Sequence, residues 1–176
     1  MIDVGFVRRA GIFAIAQILP AFVLMEIEII DYQPAYKGDF KRLNVEWISR
    51  YFVLETPDLE QLNDPEGSIL RKGGRIYMAR FGDQIIGTIT LKKFQGTIYE
   101  LSKMAVSPDH QGRGAGRLMA EHLIREARAL GCTMLFLESN QKLKPALALY
   151  KKLGFVEVPV SDSPYSRADY RAEMEL

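Results

Sequence analysis

At 176 residues, the chain has room for one domain of ordinary size, roughly 100–200 residues, and not for two. A hydrophobic share of 48% with 26% charged residues excludes wholesale disorder and a multi-span membrane protein. A net charge of +1 excludes the basic bias of a dedicated nucleic-acid binder, and one cysteine, Cys132, excludes an internal disulfide framework. One cysteine and two histidines also argue against a dedicated zinc site, so no metal is expected and the expected compartment is the reducing cytoplasm.

Residues 10–25 carry no charge and follow Arg8 and Arg9, as in the core of a signal peptide. The run is shorter than the ~20 apolar residues of a spanning helix, Gln17 and Pro20 interrupt it, and no Ala-x-Ala site precedes Glu26. Three readings stay open: a secretion signal, a helix packed on the domain, or an upstream extension before a start at Met25. The third is favoured, which divides the chain into an apolar extension, 1–24, and a single domain, 25–176. No membrane partner is expected of that domain.

From Glu26 onward the elements alternate in type, without repeats or long linkers, as in one mixed α/β domain. A strand over 26–31 leads through Pro34 into a helix from Tyr36 to Leu54, with Phe40, Leu43, Trp47, Tyr51 and Leu54 at helical spacing. Pro57, Pro65, Gly67, Gly73 and Gly74 then break the pattern. Strands are expected at 75–81 and 84–94, joined by a Gly82-Asp83 hairpin turn. In the next strand, 97–106, Tyr99 and Leu101 share one parity whereas Met104 and Val106 share the other, and a β-bulge would cause that slip.

A helix follows, with Ala115, Leu118, Met119, His122, Leu123, Ala127 and Leu130 as its apolar stripe and Gly131 as its stop. Cys132 to Leu137 reads as a buried strand and Leu143 to Leu153 as a helix. Closing strands lie at 155–158 and 168–176. Strand, helix and strand over 97–137 form a βαβ unit, so its two strands should be parallel.

The segment Val106-Ser-Pro-Asp-His-Gln-Gly-Arg-Gly-Ala-Gly-Arg117 joins a strand to an amphipathic helix. Its glycines allow close backbone approach, and the helix behind it offers unpaired N–H groups and the positive end of its dipole, which together suit a phosphate. A turn that merely starts a helix is the plainer alternative. The segment is neither a Walker loop nor a G-x-G-x-x-G dinucleotide loop.

Here the sequence resembles the GNAT superfamily of N-acetyltransferases, whose Gln/Arg-x-x-Gly-x-Gly/Ala signature is matched by Gln111, Gly114 and Gly116. The resemblance extends over Met104-Ala-Val-Ser-Pro, Asn140 and Ala148-Leu-Tyr-Lys-Lys-Leu-Gly-Phe155, while residues 1–24 have no counterpart and residues 32–74 match only as a helical insertion. It implies a mostly antiparallel central sheet with a β-bulge, a splayed parallel strand pair and helices on both faces. It also implies acetyl-CoA as co-substrate and direct transfer of acetyl to the amine of a small molecule or peptide. A catalytically silent acyl-CoA-binding domain is the alternative, and a homodimer is left open.

On that resemblance, backbone N–H groups of Gln111, Gly112, Arg113, Gly114, Ala115 and Gly116 hold the pyrophosphate, with Arg113 and Arg117 adding charge at the mouth. Main chain of Met104, Ala105 and Val106 pairs with the pantetheine arm, and Asn140 hydrogen-bonds its amide unless it is only a helix cap. Tyr150 is the candidate general acid, against a role in the core stripe with Leu143, Leu147 and Leu153. Glu100 is the candidate base, with Ser102 as a water relay, against a solvated edge glutamate. Cys132 is assigned to core packing, and neither His110 nor His122 is a strong base. Trp47, Tyr51 and Arg167 fall to the acceptor site. Arg167 is a candidate clamp for the carboxylate of an amino-acid-like acceptor, the alternative being a surface pair with Asp162 or Asp169.

Overall fold

The computed structural model describes residues 26–176, so the expectations for residues 1–24 lie outside the described residues. Seven strands, β1 (Ile27–Asp31), β2 (Arg75–Phe81), β3 (Gln84–Gln95), β4 (Ile98–Val106), β5 (Met134–Ser139), β6 (Val156–Val158) and β7 (Tyr170–Glu175), form one sheet in the order β1-β2-β3-β4-β5-β7-β6. Every neighbouring pair is antiparallel except β4 with β5, the two strands of the βαβ unit.

Alternation along the strands creates a core on each face of the sheet. Tyr77 and Ala79 of β2 join Ile89 and Leu91 of β3 beneath helix α3 (Ala115–Ala129), and helix α4 (Lys144–Leu153) adds Tyr150 to that core. Ile76 and Met78 point the other way, against Phe40, Leu43 and Ile48 of α1 (Lys37–Tyr51) and Leu62 of α2 (Thr56–Asn63). The buried face of α3 is Ala115, Met119, Ala120, Leu123, Ile124 and Ala127, while Leu118 and Leu130 are exposed. The stripe is therefore rotated from the expected one, toward the smaller side chains that let the helix approach the sheet.

Helix α2 is a further difference, because Pro57 and Pro65 read as breakers. Pro57 occupies the first turn, where a missing N–H costs nothing. Glu55 and Asp58 form a reciprocal capping box, each carboxylate accepting the other's backbone N–H.

Two features of the β4 region prepare a site. Between Thr88↔Ala105 and Thr90↔Ser102 the β4 strand carries one extra residue, and Lys103 sits there with φ +47. The expected bulge is thus located, in a backbone conformation that costs a residue other than glycine of order 1 kcal/mol or more. Pairing of β4 with β5 runs only from Ile98↔Met134 to Glu100↔Phe136, although β4 continues to Val106 and β5 to Ser139. The parallel strands separate beyond Glu100.

Candidate active site

Where β4 and β5 part, a cleft opens whose unfilled space is about 850 Å³, its mouth included. Its walls come from α1 (Asn44, Trp47, Ile48), Phe52, Asp58 of α2, residues 100–104 of the bulged strand, residues 138–140, Leu143, Ala146 and Tyr150 of the α4 region, and Tyr165, Arg167 and Ala168. The predicted residues Trp47, Glu100, Met104, Asn140, Tyr150 and Arg167 therefore meet in one cavity. Ser102 lines it too, with a buried hydroxyl that has no partner.

At the other end of β4, Gly112 and Gly114 have φ of +76 and +87, and Gly114 is the N-cap of α3 with no side-chain cap. Neither would bring a Cβ within 4 Å of another group, so glycine is required there by backbone conformation and not by crowding within the protein. The Gln111 side chain donates to the Val106 carbonyl (3.0 Å), tying the loop to the end of β4. Val106 and Gln111 also line a small groove beside the cleft that shares Trp47 with it, whereas Ala105 faces the α1 core. Arg113 lies over the Phe81 ring at 5.9 Å, and exposed Arg117 approaches Glu121 at 3.9 Å.

Tyr150 is buried in the cleft wall, edge-on to Phe155 at 6.0 Å. Burial and then the nearby Tyr170 push its hydroxyl well above the ordinary tyrosine range, so it is protonated at neutral pH. Asn140 donates to the Arg167 carbonyl (2.7 Å) and accepts the Lys142 N–H (3.0 Å), which spends one donor and one acceptor site of its amide on the loop. Glu100 is buried, not a solvated edge residue, and accepts from Lys92 Nζ at 2.8 Å. Burial alone would lower the Lys92 pKa, but the Glu100 carboxylate reverses the direction and raises it. Cys132 is buried, with its thiol on the Met134 carbonyl and its pKa raised by burial. His110 packs against Phe81 and His122 against Tyr77, both outside the cleft lining.

Two acceptor-side expectations need correction. Tyr51 is 46% exposed and does not line the cleft. The helix ends at Tyr51 and Phe52 is fully extended (φ −148, ψ 178), so the chain turns and Phe52 faces the cavity instead. Arg167 is not a free clamp. Its guanidinium donates from Nη1 to Asp58 Oδ2 (2.7 Å) and Glu55 Oε1 (2.9 Å), and from Nη2 to Asp58 Oδ1 (2.9 Å), and neither Asp162 nor Asp169 is its partner.

Asp58, fully buried, also accepts from Lys103 Nζ (3.0 Å), which reaches Tyr165 OH at 2.9 Å from its left-handed position in the bulge. Sequence reasoning missed Asp58, Lys103, Phe52 and Glu138. Only Lys103 had a signal, its place at the phase change of β4.

Burial alone would raise the Asp58 carboxyl, but Arg167 and Lys103 override it and hold it below its ordinary 3.8. The stability this contributes is complete above the unfolded value and is lost as pH falls through the depressed native one. Asp58→Ala would leave Lys103 without a carboxylate and Arg167 with Glu55 alone, and should cost about 3–5 kcal/mol, a fall of about 6–20 °C in thermal midpoint. A calorimetric melt checks this, and a loss under about 1 kcal/mol would show that other groups hold the network.

The Acetyltransferase (GNAT) family model matches residues 40–155, two thirds of the chain. The chain belongs to the GNAT acetyltransferase family. Among its relatives is the [ribosomal protein bS18]-alanine N-acetyltransferase of Escherichia coli K12, 40% identical over 73 residues. That match takes in 42% of this chain and spans about half (49%) of the relative's length. A GNAT acetyltransferase from Staphylococcus aureus Mu50 superposes with a TM-score of 0.78 at 21% identity, over 85% of this chain and 99% of that one. The structure of yncA from Salmonella typhimurium, solved with its cofactor acetyl-CoA, superposes at 0.68 and 19% identity, over 85% and 94%. These likenesses establish the same fold as the GNAT acetyltransferases.

Proposed function

We propose that this GNAT chain binds acetyl-CoA and transfers its acetyl group directly to a primary amine. The observation that carries this reading is the coincidence of three features on one strand: a glycine loop at one end, a bulge, and a free main-chain edge where β5 departs. The loop N–H groups and the start of α3 suit a pyrophosphate, and the unpaired edge of β4 suits an extended amide-bearing arm. The acetyl-CoA recorded with yncA supports the same ligand for this chain.

In the proposed reaction the amine nitrogen attacks the thioester carbonyl, the C–S bond breaks, and the thiolate takes a proton from Tyr150, whose neutral hydroxyl stands in the cleft wall. The amine must shed its own proton, and Glu100 is the base we assign, acting directly or through water at Ser102. Lys92 donates to one Glu100 carboxylate oxygen at 2.8 Å and leaves the other without a hydrogen-bond donor among the described residues. Glu138, a second carboxylate in the cavity, stabilises the incoming ammonium. Cys132 takes no part, because its thiol is buried among core side chains.

The acceptor is a small molecule or peptide amine, and the fold relatives do not narrow it further. Thiol release from acetyl-CoA, followed with a panel of amines, tests the reading. Amine-dependent release is expected; acetyl-CoA binding without release would mark a silent acyl-CoA-binding domain instead.

A further inference from the structure

The acceptor side of the cleft holds two cations, and both are already spent. Lys103 and Arg167 share the buried Asp58 carboxylate, and Arg167 is held by Glu55 as well. They also occupy aromatic faces: Arg167 lies 4.5 Å from the Tyr165 centroid and 5.9 Å from that of Phe52, with Lys103 Nζ 4.9 Å from Tyr165. An acceptor carboxylate would have to evict Asp58 from this pair, leaving a charged group with no water to receive it.

Apart from Asp58, the anions of the same cavity, Glu100 and Glu138, are less fully engaged. Glu138 accepts from Ser163 Oγ at 2.6 Å, but Arg171 reaches it only at 3.5 Å while holding Glu173 at 2.9 and 3.0 Å. Glu100 has Lys92 on one oxygen. An ammonium therefore finds acceptors here and a carboxylate does not. Trp47, Ile48 and Phe52 give the same cavity an apolar lining, with Trp47 and Phe52 ring centroids 6.3 Å apart.

The segment 163–168 is pinned from both sides. Ser166 N–H donates to Glu55, Arg167 grips Asp58 of α2, Ser163 holds Glu138 of β5, and Asn140 holds the Arg167 carbonyl. It bridges α2 and the end of β5 beside the cavity and gives the acceptor side a fixed wall.

We propose, resting on the transferase reading above, that the acceptor is a small monoamine with an aromatic or other apolar body and no carboxylate on the carbon bearing the amine. The ammonium sits toward Glu138 and Glu100, and the body lies against Trp47 and Phe52.

Calorimetric titration of the full chain saturated with CoA, using phenethylamine, phenylalanine, putrescine and an alanyl tetrapeptide amide, tests this. Phenethylamine should bind about tenfold or more tightly than each of the others. Equal or tighter binding of any of the three, or no binding of phenethylamine, would overturn the proposal. Thiol release from acetyl-CoA is read alongside: phenethylamine that binds selectively without releasing thiol defeats the transferase reading and leaves only the class of amine that the cleft binds.

Discussion

Tyr150→Phe is expected to lower turnover by about 10²–10⁴-fold, the usual worth of general-acid assistance, with acetyl-CoA affinity almost unchanged. The substitution removes one oxygen and keeps the ring that packs against Phe155 in the α3-side core. Burial keeps the Tyr150 hydroxyl protonated through neutral pH, so the acid is present before the thiolate departs. Stability should therefore hold while rate falls, the reverse of what a purely structural tyrosine would give. Steady-state kinetics at saturating acceptor checks it. A loss under about threefold would return Tyr150 to packing duty and leave the thiolate to depart unaided.

Gly114→Val should weaken acetyl-CoA binding by about 100-fold, or about 2.8 kcal/mol, and Arg113→Ala by less than about threefold. The glycine has φ +87, a conformation that costs a β-branched residue about 1–3 kcal/mol. The chain escapes that cost only by moving the loop N–H groups proposed to hold the phosphates. No neighbouring atom lies within 4 Å of a Cβ at this position, so the folded protein should lose no more than that strain, a fall of about 2–12 °C in thermal midpoint, and remain folded while ligand binding is lost. Arg113 is exposed and packs on Phe81, and an exposed charge contributes little. Titration of both variants with acetyl-CoA separates the cases, and equal losses would mean that side-chain charge, not backbone, holds the pyrophosphate.

What the sequence conveyed was whatever depends on local pattern. The slip between Tyr99/Leu101 and Met104/Val106 announced the bulge because alternation is a local property, and the strand-helix-strand order fixed the parallel pair by handedness rules. The glycine loop was readable for the same reason. Contacts made across the fold left no such trace. Arg167 and Asp58 lie 109 residues apart, and nothing local distinguishes an arginine that clamps a ligand from one that clamps a buried aspartate. Helical spacing put Tyr51 on one stripe with Phe40, Leu43 and Trp47, but Tyr51 is the last residue of α1 and is exposed, and the extended Phe52 beyond it supplies the ring that lines the cavity. Helix α2 was hidden because its cap is Glu55 with Asp58, not the commoner Ser or Thr with Glu.

The measurement that bears most directly on the transferase assignment is a single time course in which free thiol and acetylated amine are counted together by mass spectrometry, with acetyl-CoA and an amine panel supplied to the full chain. Direct transfer predicts one acetylated amine for each thiol released, with no release when amine is withheld. Thiol released without acetylated amine, or acetyl-CoA bound and never consumed with any amine, would contradict it.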